Sequence, residues 1–346
     1  MSIPCRTRDV GHSQRASERW FPVTHSVCDC DALGRALAVT HRLASPITCK
    51  LLRRGFHDTY LLSARESRYV ARVYRAERSG SAIAYELGLL VHLAGRGVSV
   101  SAPIPDVDDE VVRILDAPEG SRRVALFTYA RGRALVWNRD ESARAGSLLA
   151  AIHRESNDYV CRDARSALDV HQLIDAPLAA LQPFLGVQSA DFGELVRLAD
   201  ILRTALAARV GTLEWGACHG DFNGGNMHMA EDHSLTAFDF DFCGPGWRAY
   251  DFVGAWRWAA WSEPGVWQAF LEGYRAVKPI ADTDLAAVPL LDGVSRLRSL
   301  GLVAANAHHR GTLPVVGRKL QRQLNFLRSW ERDYLVTPDA PQGSAS

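Results

Sequence analysis

From Ile47 the apolar and polar residues fall into short runs of strand length. After Gly132 they recur at helical spacing. Strands are expected at 47–54 and 59–63, flanking the turn Gly55-Phe56-His57-Asp58, and at 68–75, 111–115 and 123–129. Between the third and fourth, a helix is expected over 81–95, with Ile83, Leu87, Leu90, Val91 and Ala94 on one face. Glu86 falls on that apolar face, where a carboxylate is costly unless paired. Asp31 is placed to cap a short helix running to His41. Beyond the break Ala130-Arg131-Gly132-Arg133, helices are expected near 143–153, 167–181, 192–209, 248–261, 266–274, 284–308 and 317–334. The outline is five strands and one embedded helix, then a long helical region.

Composition narrows the class. The chain has 346 residues, enough for two lobes and a sizeable core. It is 47% hydrophobic and 23% charged, ordinary for a globular protein. A net charge of +1 gives no bulk attraction to nucleic acid or to an anionic membrane. No run approaches the ~18 apolar residues that a membrane span needs. Seven cysteines without a CxxC pair read as reduced thiols of a cytoplasmic protein. The polar stretch from Met1 to about Val27 reads as a loose arm, and 337–346 as a disordered tail. Cys28 and Cys30 flank Asp29, a spacing that is more often incidental than metal-binding.

The chemistry concentrates between Cys218 and Asp251. His219, Gly220, Asp221 and Asn226 form H-G-D-x-x-x-x-N, and Asp239 and Asp241 lie in F-D-F-D-F. Between them, two short apolar runs surround the polar turn 231–234, which reads as a β-hairpin. Folding it about Asp232 and His233 brings Asn226 opposite Asp239. An amide oxygen and a carboxylate at one open end suit Mg²⁺, which completes its octahedron with water and substrate phosphate. Asp221, on a Gly-flanked loop nearby, can accept a proton from an incoming hydroxyl. Asp241, two residues past Asp239, would share its face on an extended strand and act as a supporting or substrate contact. His219 reads as a buried brace of the loop, and Asp251 as a brace bonding the loop's backbone amides. His228 shares the Asn226 face but reads as structural, and His153 as a helix-end residue. Trp256, Trp258 and Trp261 read as core and groove wall.

This pattern resembles the catalytic loop and metal-binding Asp of protein kinases. Gly220 in place of the Arg, and D-F-D in place of D-F-G, make it similar to the aminoglycoside phosphotransferase and choline kinase superfamily. The nearest branch holds type II homoserine kinases and the bacterial stress-response kinase. The resemblance implies an α+β, two-lobed kinase-like fold. The N-lobe (29–130) would be a five-stranded antiparallel sheet plus a helix, and the C-lobe (131–336) mainly helical. It implies ATP as phosphate donor and Mg²⁺ held by Asn226 and Asp239, with Asp221 as catalytic base. Arg72, in Tyr69-Val70-Ala71-Arg72, stands where the family carries a basic residue toward the nucleotide phosphates. Lys is usual there, and Arg is not its equivalent. Glu86 would pair with Arg72. Backbone near Phe127–Tyr129 would bond adenine at the hinge.

The expected acceptor is a hydroxyl on a small molecule: an aminoglycoside, an amino alcohol or a hydroxy amino acid. No obvious peptide-binding activation segment lies between Asp241 and Asp251. Glu263, Glu272, Asp282 and Asp284 could bind a cationic substrate or simply face solvent. A serine/threonine protein kinase is the alternative. Further alternatives are a hydrolytic metal centre built on His219, Asp221, His228, Asp239 and Asp241, and a silent nucleotide-binding regulator. The hydrolase lacks an H-E-x-x-H spacing. The sequence leaves the oligomeric state open.

Overall fold

The computed structural model describes residues 22–163, 165–312 and 317–336. Most of the expected arm and the tail 337–346 lie outside these residues. Helix α1 (Cys30–Thr40) leads into strands β1 (Ile47–Arg54), β2 (Asp58–Ala64) and β3 (Ser67–Val73). Its N-cap is Asp29, whose side chain accepts the Ala32 N–H; Asp31 lies in the first turn instead. Helix α2 (Gly80–Gly95), capped by Ser79, precedes β4 (Arg113–Ala117) and β5 (Gly120–Thr128). The five strands form one antiparallel sheet in the order β1-β2-β3-β5-β4.

Strand alternation decides what each face of this sheet does. Tyr60, Leu62, Ala71, Val73, Val124 and Leu126 pack with Leu33 and Leu37 of α1 in a small core of their own. Arg72, between Ala71 and Val73, therefore points to the opposite face, toward α2. The described part of the arm is not loose. Ser26 accepts from the Arg122 guanidinium at 2.8 Å and donates to Glu119 at 2.9 Å, and Cys28 accepts from the Tyr60 hydroxyl. Arg122 is wholly buried, so this segment supplies part of its hydrogen bonding.

The second lobe is mainly helical. After β6 (Arg133–Ala134) come α3 (Arg139–Glu155), α4 (Ala176–Leu185) and α5 (Ala190–Ala207). β7 (Trp215–Cys218), β8 (Met227–Met229), β9 (Leu235–Ala237) and β10 (Gly244–Trp247) follow. Then come α6 (Val253–Ala259), α7 (Val266–Arg275), α8 (Asp282–Ala305), the short α9 (Ala307–Arg310) and α10 (Arg318–Val336). The helix expected over 167–181 instead opens as a π-turn, His171–Asp175, before α4 begins. That expected over 248–261 starts as a 3₁₀ turn, Arg248–Phe252. α3 and α7 cross with almost no gap. A Cβ on Gly146 would come 1.9 Å from the Phe270 carbonyl oxygen, and one on Gly273 1.9 Å from that of Ala143. One large core runs from α2 through these helices. No described helix is long and apolar enough to cross a membrane.

Candidate active site

The hairpin is present, in the register Met227↔Ala237, His228↔Thr236 and Met229↔Leu235. Phe238 N–H donates to the Asn226 carbonyl at 3.0 Å, so Asn226 faces Phe238, and Asp239 is the next residue on. Asp239 then leaves the strand in the left-handed region, with φ 66° and ψ 55°, which Asp tolerates better than most residues. Phe240–Phe242 follow as a 3₁₀ turn. This overturns the extended geometry expected for Asp241. Its side chain is buried, and His57 Nε2 donates to it at 3.0 Å while Arg78 pairs with it at 2.7 Å. On this tighter path Asp241 still borders the cleft, and its Oδ1 gains the buried pairs with His57 and Arg78.

Asp221, Asn226 and Asp239 line one cleft of about 400 Å³ between the lobes, together with Arg72 and Glu86. The Asn226 amide donates to Asp221 Oδ2 at 2.9 Å and to the Asp221 carbonyl at 2.9 Å. With its NH₂ group so engaged, its carbonyl oxygen is the atom left to meet a cation. Asn223 donates to the other Asp221 oxygen at 3.0 Å. Crowding by protein raises the Asp221 pKa, opposed by His219 and the Asn226 amide and reinforced by the charge on Asp239. Arg72 forks between Glu86 Oε1 at 2.6 Å and Asp239 Oδ1 at 2.7 Å. Glu86 is fully buried, and its second oxygen accepts from Tyr74 Oη at 3.3 Å. Burial pushes the Glu86 carboxyl up and the Arg72 charge holds it down.

The loop carrying Asp221 is held from below. Asp251 accepts from the His219 N–H at 2.7 Å and from the Gly220 N–H at 2.8 Å. His153 is no mere helix-end residue. It is wholly buried, donates from Nε2 to Asp251 at 3.0 Å and accepts from Tyr274 Oη on α7 at 2.9 Å. His219 accepts the Asp221 N–H at Nδ1 and donates from Nε2 to the Phe238 carbonyl, joining loop to hairpin. His228 donates from Nδ1 to the Ala130 carbonyl at 2.7 Å, below the inter-lobe connection. With that nitrogen bonded to a carbonyl, His228 braces the connection.

The upper wall of the cleft is apolar, formed by Leu52, Val70, Leu90 and Phe127, with Phe238 below and Tyr129 at the rim. Thr128 is fixed by its N–H to the Ala102 carbonyl at 2.9 Å and by its carbonyl to Ser101 Oγ at 2.5 Å. The turn at Gly55 folds down over the other end. Phe56 meets Phe242 edge to face at 5.2 Å, and His57 accepts the Arg75 N–H at Nδ1. Sequence reasoning missed His57 and Arg78, because nothing near either residue in the chain announces a partner at Asp241. It also missed Arg298, which donates to the Gly220 carbonyl at 2.8 Å and lies over the Phe242 ring. Trp258 and Trp261 are exposed, at 51% and 84%, and form no wall; only Trp256 is partly buried, against Trp267. Glu263, Glu272 and Asp282 face solvent, and Asp284 is buried, accepting the Glu214 N–H.

The model of the phosphotransferase enzyme family matches residues 48–288, which span both the sheet and the Asp221–Asp251 stretch. The chain belongs to that family. An uncharacterized protein of Deinococcus radiodurans is 37% identical over 326 residues, covering 91% of this chain and 94% of its own. A homoserine kinase of Paramagnetospirillum magneticum is 25% identical over 284 residues, covering 76% and 82%. Among solved structures, a microcompartment-associated aminopropanol kinase superposes with a TM-score of 0.71 at 21% identity, covering 90% of this chain and 99% of its own. The amicoumacin kinase hAmiN, in complex with AMP-PNP, Ca²⁺ and Ami, gives 0.71 at 20% identity, covering 96% and 98%. These neighbours share the two-lobed kinase-like fold, so the phosphotransferase has the architecture that the family resemblance implies.

Proposed function

We propose that this phosphotransferase moves the γ-phosphate of ATP to a hydroxyl group of a small molecule. The observation that carries the reading is the convergence of Asp221, Asn226, Asp239 and the Arg72–Glu86 pair on one cleft. Adenine would lie between Val70, Leu90 and Phe238, bonding backbone near Phe127–Tyr129, with residues 29–130 above it and 131–336 below. Arg72, oriented by Glu86, would meet the nucleotide phosphates; its two-pronged guanidinium suits phosphate oxygens.

The donor set fits a hard cation: the Asn226 carbonyl oxygen and the Asp239 carboxylate, the latter partly exposed at the cleft floor. Mg²⁺ held there would neutralise charge on the phosphates. Asp221 would orient the acceptor hydroxyl and take its proton, held by the Asn223 and Asn226 amides. Catalysis would rest on alignment and charge stabilisation. Asp241 serves as support at the edge of the cleft, since its Oδ1 is engaged by both His57 and Arg78. His219 and Asp251 hold the loop without touching the reacting atoms.

A small-molecule acceptor is supported by the kinship with a homoserine kinase and by the fold shared with aminopropanol and amicoumacin kinases. The test is incubation with ATP, Mg²⁺ and pooled hydroxylated metabolites, read by mass spectrometry. A phosphorylated metabolite is the expected product. Phosphate appearing only on protein would favour a protein kinase, and metal-driven phosphate release without nucleotide preference would favour a hydrolase.

A further inference from the structure

A second group of ligand-bearing side chains lies outside the nucleotide cleft. Glu77 stands in the turn between β3 and α2, in the first lobe, and His308 and His309 lie on α9, just beyond the long α8 of the second. One donor atom from each falls within 4.8 Å of the others. His309 Nε2 is 3.7 Å from Glu77 Oε1. Ligands at ~2.0–2.1 Å from a tetrahedral ion stand roughly 3.3 Å apart, so small side-chain movements suffice to close the set.

His309 adds an independent observation. Its side chain is only 5% exposed, yet its Nδ1 is an interior atom with no hydrogen-bond partner among the described residues. A buried imidazole nitrogen without a partner costs ~1–3 kcal/mol, a reason to expect a role for the ring. The His25 ring lies 5.6 Å away, but its Nε2 pairs with Asp58 at 2.9 Å, leaving a fourth position to water.

We propose that Glu77, His308 and His309 form a binding site for a transition-metal dication of the zinc type, distinct from the oxygen-ligand site in the cleft. Two imidazoles and one carboxylate suit Zn²⁺, Co²⁺ or Ni²⁺ and disfavour Mg²⁺. Because its ligands come from both lobes, the bound ion ties the β3–α2 turn to the end of α8. Arg75 already bridges the same gap, donating to Asn306 Oδ1 at 2.5 Å. The ion would add a second fastening beside it.

The full-length protein, free of nucleotide and Mg²⁺, is titrated with Zn²⁺ by calorimetry and with Co²⁺ by visible absorption. Wild type is expected to bind one equivalent at this site and to rise in Tm with Zn²⁺. Glu77→Gln and His308→Gln alter exposed side chains and should leave the fold intact. Each should weaken Zn²⁺ binding by at least the ~10–100-fold that loss of a merely supporting residue costs a metal site. The Co²⁺ spectrum should be that of nitrogen and oxygen ligands. Unchanged affinity in both variants overturns the proposal, as does absence of binding. So does a thiolate charge-transfer band as the sole Co²⁺ signature, which would move the metal to cysteines such as Cys28, Cys30 and Cys49.

Discussion

Asp221 is held by four hydrogen bonds from the Asn223 and Asn226 amides, which fix both of its carboxylate oxygens and its carbonyl. A side chain so constrained is suited to aligning a hydroxyl. Asp221→Ala is therefore expected to lower phosphate transfer by ~10²–10⁴-fold while nucleotide affinity persists. Turnover and equilibrium nucleotide binding, measured on one preparation, check both halves of that statement. Asp221, Asn226 and Asp239 were legible in the sequence because a loop and a three-residue hairpin bring near neighbours together. The Arg72–Glu86 pair was legible because a carboxylate on an apolar helix face is costly unless paired, and the family resemblance pointed to Arg72 as the partner. The His57–Asp241 bond was not, since it joins positions 184 residues apart and a lone histidine in a turn carries no sign of its partner. The αL conformation of Asp239 was equally hidden, and with the 3₁₀ turn after it the Asp241 side chain meets His57 and Arg78.

Among the elements, α3 and α7 act as one unit. Their contact brings His153 to Tyr274 and, through Asp251, supports the backbone of His219 and Gly220. Gly146→Ala should force these helices apart and cost ~1–3 kcal/mol, as overpacking does. Gly193, exposed in α5 with nothing near a Cβ, gives the contrast. Its change to Ala should stabilise by ~0.5–1 kcal/mol, because only the helix preference changes. Opposite signs of ΔTm for the two variants are the measurement. Long elements such as α2, α3 and α8 were readable from spacing because each buries a continuous stripe. The pairing of β7 with β10 escaped because each strand has four residues, and its partner is far along the chain. The Gly132 turn was visible only as a break. In the structure it has φ +98°, with the Met229 carbonyl where a side chain would begin.

At the scale of the whole molecule, buried neutral histidines couple stability to acidity. Burial lowers the pKa of His57 and His153 from 6.5, against the pull of their carboxylate partners. Below about pH 6.5 the unfolded chain thus takes up protons that these rings refuse, and stability falls as pH falls. Asp251, with its pKa lowered by the His153 hydrogen bond despite burial, adds a further loss below about 3.8. Glu86 and Asp221, whose pKa values are raised, act in the opposite sense at pH values above their unfolded ones. A variant isolates the histidine term. His153→Gln should flatten the decline between pH 6.5 and lower values by up to ~1.4 kcal/mol per pH unit. Urea denaturation across that range reads it. The strand-rich part and the helical part were legible from the switch in period near Gly132, and their arrangement as two lobes from the family resemblance, whereas the seating of residues 25–28 was not, for that stretch reads as expendable. Arg122 depends on them: it is sealed inside the sheet, and Ser26 offers one of the oxygens that receive its protons. A chain trimmed back to the start of α1 would thus leave a guanidinium in the dark with a donor unanswered, at a penalty of ~1.5–3 kcal/mol. At residues 25–28 what reads as a loose arm is a lid on an interior charge, and the first lobe begins before its first helix.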